Sequence, residues 1–274
     1  MWISKSEITQ LSDQIRKAIE GQEVDTRDNR EGAFSILKND IYDMIHLEKE
    51  QRLVITQEKE KQAEFLADIS HQLKTPITSL MLMTNILEDA PPEKQTQFLF
   101  QMKKELAHME WMVSTLLKIA KLDSGVVQFN PTTVSSEEIM EEALNSLEIL
   151  MDIKDQKVEV KNQITLTCDK KWTIEAISNL LKNASECSKE HSTIFVECGE
   201  NPLYQWISIA DAGEGIPIEQ VSHLFQRFEN SKNESGYGIG LPLALAIITG
   251  QNGDIEVMPG GNGNGATFTI KFFK

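Results

Sequence analysis

Two stretches of this sequence contain residue types that could perform chemistry together. The first, residues 65–76, reads FLADISHQLKTP and places one histidine, His71, in an amphipathic helical pattern. A neutral imidazole is a nucleophile at neutral pH because one ring nitrogen keeps its lone pair. The second, residues 211–241, is rich in glycine, which lets the backbone approach a ligand closely. The two stretches predict a nucleophilic histidine and a nucleotide site in one chain.

The first glycine cluster follows a predicted strand. Asp211 comes directly after the apolar run 206–210 and precedes Gly213 and Gly215. A carboxylate at a strand end can accept a hydrogen bond from an exocyclic amine such as that of adenine. The alternative is a glycine turn capped by an aspartate.

The second glycine cluster opens a predicted helix. Gly236, Gly238 and Gly240 alternate along the chain, and Leu241 begins the apolar helical segment. Backbone amides and the positive end of the helix dipole favour a phosphate at such a position. A motif of this length is weak when it stands alone, because many turns contain it.

An asparagine pair strengthens the prediction. Asn179 and Asn183 lie one turn apart on one face of a predicted helix, residues 171–188. An amide oxygen is a hard ligand that suits Mg²⁺, which keeps waters and substrate phosphates as its other ligands. The alternative is a pair of exposed or mutually hydrogen-bonded amides.

The histidine lies on the first of two predicted long helices. Apolar residues recur at steps of three and four on both, and the prolines after Asp89 end the first helix. The two seams are Leu66, Ile69, Leu73, Pro76, Leu80, Met83 and Leu87, then Leu99, Met102, Leu106, Met109, Val113, Leu116 and Ala120. One hairpin buries only one stripe per helix, so we expect two chains to complete a four-helix bundle. Pro76 predicts a bend or a tolerated kink beside His71.

Beyond Gly125 the pattern changes to mixed helix and strand. The fold class predicted is α+β: a helical hairpin, then an α/β sandwich with a mixed sheet and helices on one face. We expect three regions: a helical linker over residues 1–60, the hairpin over 61–126 and the α/β domain over 130–274. Predicted strands cover 157–164, 165–168, 193–198, 204–210, 255–258 and 266–273, and predicted helices cover 135–150, 171–188, 217–228 and 241–249.

Composition narrows the functional classes. The formal net charge of −15 argues against nucleic-acid binding, because little would neutralise phosphates along a duplex. Three cysteines without a CxxC pair predict reduced thiols rather than a disulfide framework or a zinc site. No apolar run approaches the ~20 residues of a membrane span. We expect a soluble protein or the cytosolic portion of a membrane-anchored one.

Four motifs occur in a specific order: the histidine stretch, the asparagine pair and the two glycine clusters. In this order the chain resembles the bacterial sensor histidine kinases of two-component systems, over about residues 60–274. Residues 225–228, reading FQRF, resemble the phenylalanine box of that family. Related ATPases of the chaperone, gyrase and mismatch-repair types lack the histidine hairpin.

The resemblance implies roles for individual residues. His71 would accept the phosphoryl group from ATP, and Thr75 would position water for dephosphorylating the partner regulator. Arg227 would reach the γ-phosphate when a lid over residues ~220–238 closes. The nucleotide-binding set would be Asn183 as the Mg²⁺ ligand, Asn179 beside it, Asp211 at adenine, Gly213 and Gly215 around that pocket, and Gly236, Gly238, Gly240 and Leu241 at the phosphates. The implied cofactors are ATP and Mg²⁺.

Three positions depart from the family pattern. Gln72 stands where an acid usually follows the histidine, Glu186 where a lysine often follows the metal asparagine, and Cys187 where an aromatic often follows. An amide can orient the imidazole but offers it no charge. We therefore expect slow autophosphorylation and weak nucleotide binding. The alternative is a pseudokinase scaffold that binds nucleotide and regulator.

The resemblance also implies partners and a location. The partners would be a second copy of the chain through residues ~61–126 and the receiver domain of a response regulator. The chain would lie at the cytoplasmic side of a bacterial membrane, held by an anchor outside this sequence. A plain ATPase is disfavoured by the histidine hairpin.

Overall fold

The structure, a computed structural model, describes residues 4–20, 22, 24–27, 32–87, 90–228, 238–260 and 265–274. The chain forms two compact units, Met1–Gln72 and Leu73–Lys274. In the first unit, α1 spans Lys5–Ile19 and begins with a capping box between Ser4 and Glu7. α2 spans Ala33–Leu87 and continues into the second unit. Among the described residues, no helix is long and apolar enough to cross a membrane.

α2 and α3 form the predicted hairpin. α3 spans Pro92–Asp123 and begins with Pro92, at a position where the missing amide hydrogen is tolerated. Gly125 follows the helix with φ of +66°, and its N–H donates to the carbonyl of Leu122. Gly125 is therefore the left-handed residue that follows the end of α3. Pro76 lies inside α2.

Part of the predicted seam stays exposed within the single chain. Its exposed members are Leu66, Leu99, Leu106, Val113 and Ala120. Nearer the C-terminal end of α3, the seam residue Leu116 is buried. An apolar stripe left open on a long hairpin is typical of a surface that another helix covers.

The second unit continues with an α/β domain. Its strands are β1 (Thr132–Ser135), β2 (Lys157–Lys161), β3 (Thr165–Cys168), β4 (Thr193–Glu200), β5 (Tyr204–Ala210), β6 (Gly253–Met258) and β7 (Thr267–Phe273). Its helices are α4 (Ser136–Asn145), α5 (Glu148–Ile153), α6 (Lys170–Cys187), α7 (Ile218–Val221) and α8 (Gly240–Gly250). Within the described residues, the main sheet has the order β2-β4-β5-β7-β6.

The main sheet is mixed, as predicted. β2 pairs with β4 in parallel, and the other neighbours are antiparallel. Alternate residues of β4 show the two faces: Ile194 and Val196 are fully buried, whereas Phe195 is exposed. The buried face packs with α4, α6 and α8 in one apolar core. The sheet therefore has helices on one face.

The structure differs from the predicted elements in two places before α6. β1 was not predicted; its β-branched Thr132, Thr133 and Val134 pair antiparallel with β3 in a separate small sheet. The helix predicted over 135–150 divides into α4 and α5, because Leu147 takes φ of −115° between them and turns its side chain into the core.

The helix predicted over 217–228 is largely absent. After α7 the backbone continues as turns, with N–H groups of His223 and Gln226 donating three residues back. Leu224 and Phe228 are buried, and Phe228 takes φ of +66°. Tertiary contacts of these side chains override the local helical pattern, as weak propensities allow.

Candidate nucleotide site

Asp211 stands directly after β5 and is held by backbone groups. Its Oδ1 accepts the N–H of Gly213 at 2.8 Å and the N–H of Ala266 at 3.1 Å. Its own N–H donates to the carbonyl of Ala266 at 2.9 Å. Burial raises the pKa of this carboxyl, and the two N–H donors oppose that rise. Asp211 is therefore a fixed, half-buried acceptor at the predicted adenine position.

Gly265 is a member of the site that the sequence analysis missed. Its φ is +58°, and a Cβ on it would lie 2.0 Å from the carbonyl oxygen of Asp211. Its N–H donates to the carbonyl of Gly213 at 3.1 Å. The available signal was the glycine-rich stretch 260–265 immediately before β7. A residue with a side chain cannot take this position without moving the backbone.

The first glycine cluster meets the end of α6. A Cβ on Gly213 would lie 2.6 Å from the carbonyl oxygen of Cys187. The N–H of Ala212 donates to Oγ of Ser188 at 3.0 Å. Gly215 has φ of +83°, so the turn after Asp211 uses glycine twice, once for close contact and once for conformation.

The two departures at the end of α6 lie beside this contact. Burial raises the pKa of the Glu186 carboxyl, and Lys182, whose Nζ is 3.9 Å away, opposes the rise. Cys187 is exposed, but partial desolvation of its thiol raises the pKa, with the charges of Asp211 and Glu186 adding to the rise. Neither side chain supplies a positive charge to a phosphate.

Asn179 brings α6 against the start of α8. A Cβ on Gly240 would lie 2.9 Å from Oδ1 of Asn179, and Nδ2 of Asn179 donates to the carbonyl of Glu175 at 2.8 Å. Among the described residues, no side chain caps the N-terminus of α8, and uncapped amides at a helix start can bind a phosphate. Leu241 follows in the first turn of α8 and is half-buried.

Asn183 lies one turn beyond Asn179 on the same face of α6. Its side chain is half-buried and makes no hydrogen bond with the described residues. The described part of the chain contains no group of three or more His, Cys, Asp or Glu that could hold a metal ion. An amide ligand completed by phosphates and waters is the arrangement that these residues fit for Mg²⁺.

The second glycine cluster is partly described. The N–H of Phe228 donates to the carbonyl of Gly238 at 2.9 Å, and Gly238 has φ of +66°. A Cβ on Gly238 would lie 2.9 Å from Cα of Phe228. Gly236 and the other residues of 229–237 in the predicted lid lie outside the described residues.

Arg227 contacts a residue that the sequence analysis did not select. Its guanidinium donates to the carboxylate of Asp123, at the end of α3, at 2.6 Å. The phenylalanine box therefore joins the hairpin to the ATP-binding part of the second unit. The predicted role at a γ-phosphate stays a prediction.

The histidine stretch lies on α2. His71 and Thr75 are exposed, and Gln72 is half-buried. His71 and Gln72 belong to the first unit, whereas the nucleotide-side residues belong to the second. The fold thus brings Gly240 against Asn179, and Gly213 against the end of α6, the helix that also carries Asn183.

Comparisons with known proteins agree with this division. Residues 61–125 match the family described as His Kinase A (phospho-acceptor) domain. Residues 168–274 match the family described as Histidine kinase-, DNA gyrase B-, and HSP90-like ATPase.

Two curated proteins that this chain resembles are longer than it is. The chain is 29% identical over 237 residues to sensor histidine kinase WalK of Bacillus subtilis, covering 80% of this chain and 38% of that protein. It is 30% identical over 225 residues to sensor protein kinase WalK of Staphylococcus aureus, covering 77% of this chain and 53% of that protein. The chain therefore spans about half, or less, of the length of these relatives.

Solved structures share the fold. The Acinetobacter baumannii histidine kinase AdeS has a TM-score of 0.64 at 22% identity, covering 74% of this chain and 97% of that one. Histidine kinase ThkA, solved in complex with response regulator protein TrrA, has a TM-score of 0.65 at 20% identity, covering 90% of this chain and 68% of that one. The two domain matches and the curated relatives, together with the ordered motifs, show that the chain belongs to the sensor histidine kinases of bacterial two-component systems.

Proposed function

We propose that this chain is an ATP-dependent protein-histidine kinase that phosphorylates His71 and passes the phosphoryl group to an aspartate of a response regulator. The observation that carries the proposal is the contact of Asn179 with Gly240. Through this contact, the face of α6 that carries Asn179 and Asn183 lies against the start of α8. The family membership of the chain and the exposed His71 support the second half of the site.

The reaction forms one bond and breaks another. The lone pair of the His71 imidazole attacks the γ-phosphorus of ATP, a nitrogen–phosphorus bond forms, and the bond to the β-phosphate oxygen breaks to release ADP. The ring proton leaves to solvent. A regulator aspartate then displaces the imidazole and becomes an acyl phosphate. Positioning and charge neutralisation dominate such transfers, so little covalent help is required of the protein.

The residues of the site divide these tasks. Asp211 binds the adenine amine, and the start of α8 from Gly240 binds the phosphates. Asn183 would hold Mg²⁺ through its amide oxygen, and Asn179 fixes the adjacent backbone. When bound, Mg²⁺ neutralises charge on the transferring phosphoryl group.

Labelling with γ-³²P-ATP tests the proposal. Wild-type protein should acquire acid-labile label with Mg²⁺, and removal of the metal with a chelator should abolish it. His71→Ala should remove the label, while His46→Ala, which changes another exposed histidine of α2, should keep it. Label that persists in His71→Ala contradicts the assignment.

A pseudokinase scaffold is the second candidate, favoured by Gln72 and Glu186. It predicts nucleotide binding without label on the protein. Free phosphate without labelled protein would instead indicate a plain ATPase. The same assay separates the three outcomes.

The remaining proposals concern assembly. We propose three regions: a linker (1–60), a hairpin (61–126) and an ATP-binding domain (130–274). The hairpin would form the dimer interface. The exposed seam leucines support a homodimer. The regulator complex of ThkA, whose fold the chain shares, supports a receiver-domain partner. Thr75 is proposed for regulator dephosphorylation, and a membrane anchor outside this sequence is proposed from WalK, a sensor kinase.

A further inference from the structure

The last three turns of α3 are fastened to the ATP-binding part of the second unit. Met112 and Ile119 are fully buried, and Ile119 belongs to the same apolar core as the sheet. Nζ of Lys182, on α6, lies 4.7 Å from the ring centroid of Trp111. This end of α3 therefore forms a packed interface, and its buried side chains set the register of the charged pairs around it.

Two ion pairs border that interface. Nζ of Lys118 lies 2.7 Å from a carboxylate oxygen of Glu175, on α6 one turn before Asn179. Arg227 lies 2.6 Å from Asp123 at the far end. Each pair joins α3 to a segment that contributes to the nucleotide site. The pairs are long-range contacts and do not follow from either local sequence.

The second pair occupies Arg227, which the proposed reaction requires at the γ-phosphate. A guanidinium offsets charge that develops on a transferring phosphoryl group only when it is close to that group. A hydrogen bond from Arg227 to the carboxylate of Asp123 uses donors in the same planar fork. The ion pair between Arg227 and Asp123 must therefore open before Arg227 can contact the γ-phosphate of ATP.

We propose that Asp123 is a positioning residue that acts through Arg227: it holds the phenylalanine box against α3 in a resting arrangement, and this ion pair opens during phosphoryl transfer to His71. The pair of Lys118 with Glu175 is a second fastening of the same interface. This inference rests on the proposed kinase function.

The exposure of the pair limits the size of its effect. The side chains of Arg227 and Asp123 are 30% and 48% exposed, so the attraction is screened by water. Pairs of this kind change an equilibrium by about two- to fivefold. Opening both pairs should change this equilibrium further, by on the order of tenfold.

The decisive variant is Asp123→Asn, which keeps the shape of the side chain and removes its charge. The initial rate of His71 labelling should rise about two- to fivefold. Asp123→Asn combined with Glu175→Gln should raise it further. Glu110→Gln, which removes an exposed carboxylate from the same helix, is the matched control and should leave the rate unchanged. An unchanged or lower rate in Asp123→Asn overturns the proposal, since loss of a merely structural contact does not accelerate a reaction.

Hydrogen exchange separates this inference from the function on which it rests. Asp123→Asn should increase deuterium uptake in residues 116–123 and 223–228, and Glu110→Gln should not. The uptake is measured without ATP, so it tests the fastening even if wild-type protein takes no label. In Arg227→Ala the same Asp123→Asn change should add no further uptake. Unchanged uptake in Asp123→Asn contradicts the fastening, whereas absence of label in wild type contradicts the kinase function alone.

Discussion

Gly265 passes so close to Asp211 that a Cβ on it would lie 2.0 Å from the carbonyl oxygen of Asp211. Gly265→Ala should therefore disturb the backbone of the site itself. We expect a loss of about 1–2 kcal/mol from the left-handed conformation and a further ~1–3 kcal/mol from overpacking. Nucleotide affinity should fall with it. Thermal unfolding and titration with a fluorescent ATP analogue measure both effects.

Gly125→Ala is the matched control, because Gly125 has φ of +66° but nothing within 4 Å of its Cβ position. It should lose only the conformational part and keep its nucleotide affinity. Equal losses in the two variants would show that the contact with Asp211 is unimportant.

Asp211→Asn should separate the fold of the site from its ligand chemistry. The amide oxygen of asparagine can still accept the N–H groups of Gly213 and Ala266, so the melting temperature should change little. The NH₂ group of asparagine would replace the carboxylate oxygen that accepts the adenine amine, so two donors would face each other. The affinity for ATP should therefore fall at least about tenfold. Asp211→Ala should lose stability as well, because two buried N–H groups lose their acceptor. Isothermal titration and thermal unfolding of both variants make the test; tight binding by Asp211→Asn would rule out the adenine role.

Gln72→Glu should accelerate autophosphorylation. A carboxylate next to His71 would stabilise the imidazole with a charge-assisted hydrogen bond, worth about 1 kcal/mol more than an amide and so about fivefold in rate. The initial labelling rate at saturating ATP is the measurement. Gln62→Glu adds the same charge to an exposed position of α2 and should have no effect. A rate that stays the same or falls in Gln72→Glu would exclude this explanation of the departure.

Glu186→Gln should stabilise the protein at neutral pH. Burial raises the pKa of Glu186 above its ordinary value of 4.5, so the folded state binds the proton more tightly than the unfolded chain. The contribution of protonated Glu186 to the free energy of unfolding is fully present below pH 4.5. It is lost as the pH rises through the pKa of Glu186 in the folded state. The melting temperature of Glu186→Gln should thus exceed that of wild type at pH 7, and the difference should vanish below pH 4.5. Glu190→Gln, at an exposed position, is the control; a difference that persists at low pH would refute the cause.

Leu106→Lys should weaken the proposed dimer. Leu106 is 55% exposed in the single chain and lies on the predicted seam of α3. The variant removes two leucine side chains, one from each chain, that the dimer would bury. The dissociation constant should therefore rise on the order of a hundredfold. Analytical ultracentrifugation measures it, and Gln97→Lys, off the seam, should leave the dimer intact. Equal dissociation constants would place the interface elsewhere.

The sequence by itself determined the family, the order of the motifs and most elements around the site. Asn179 and Asn183 share a helix face because residues one turn apart must, and Asp211 directly follows β5 because the strand pattern stops before it. Strong local patterns of this kind need no partner to be recognised.

The tertiary structure alone decided which distant segments meet. Gly265 joins Asp211 because β7 pairs with β5, and strand pairing depends on the whole sheet rather than on either strand. Arg227 meets Asp123, 104 residues away, because buried residues of α3 dock in the core and carry the carboxylate with them. The segment after α7 forms turns rather than the predicted helix for the same reason: burial of Leu224 and Phe228 outweighs local preferences of at most about 1 kcal/mol per residue.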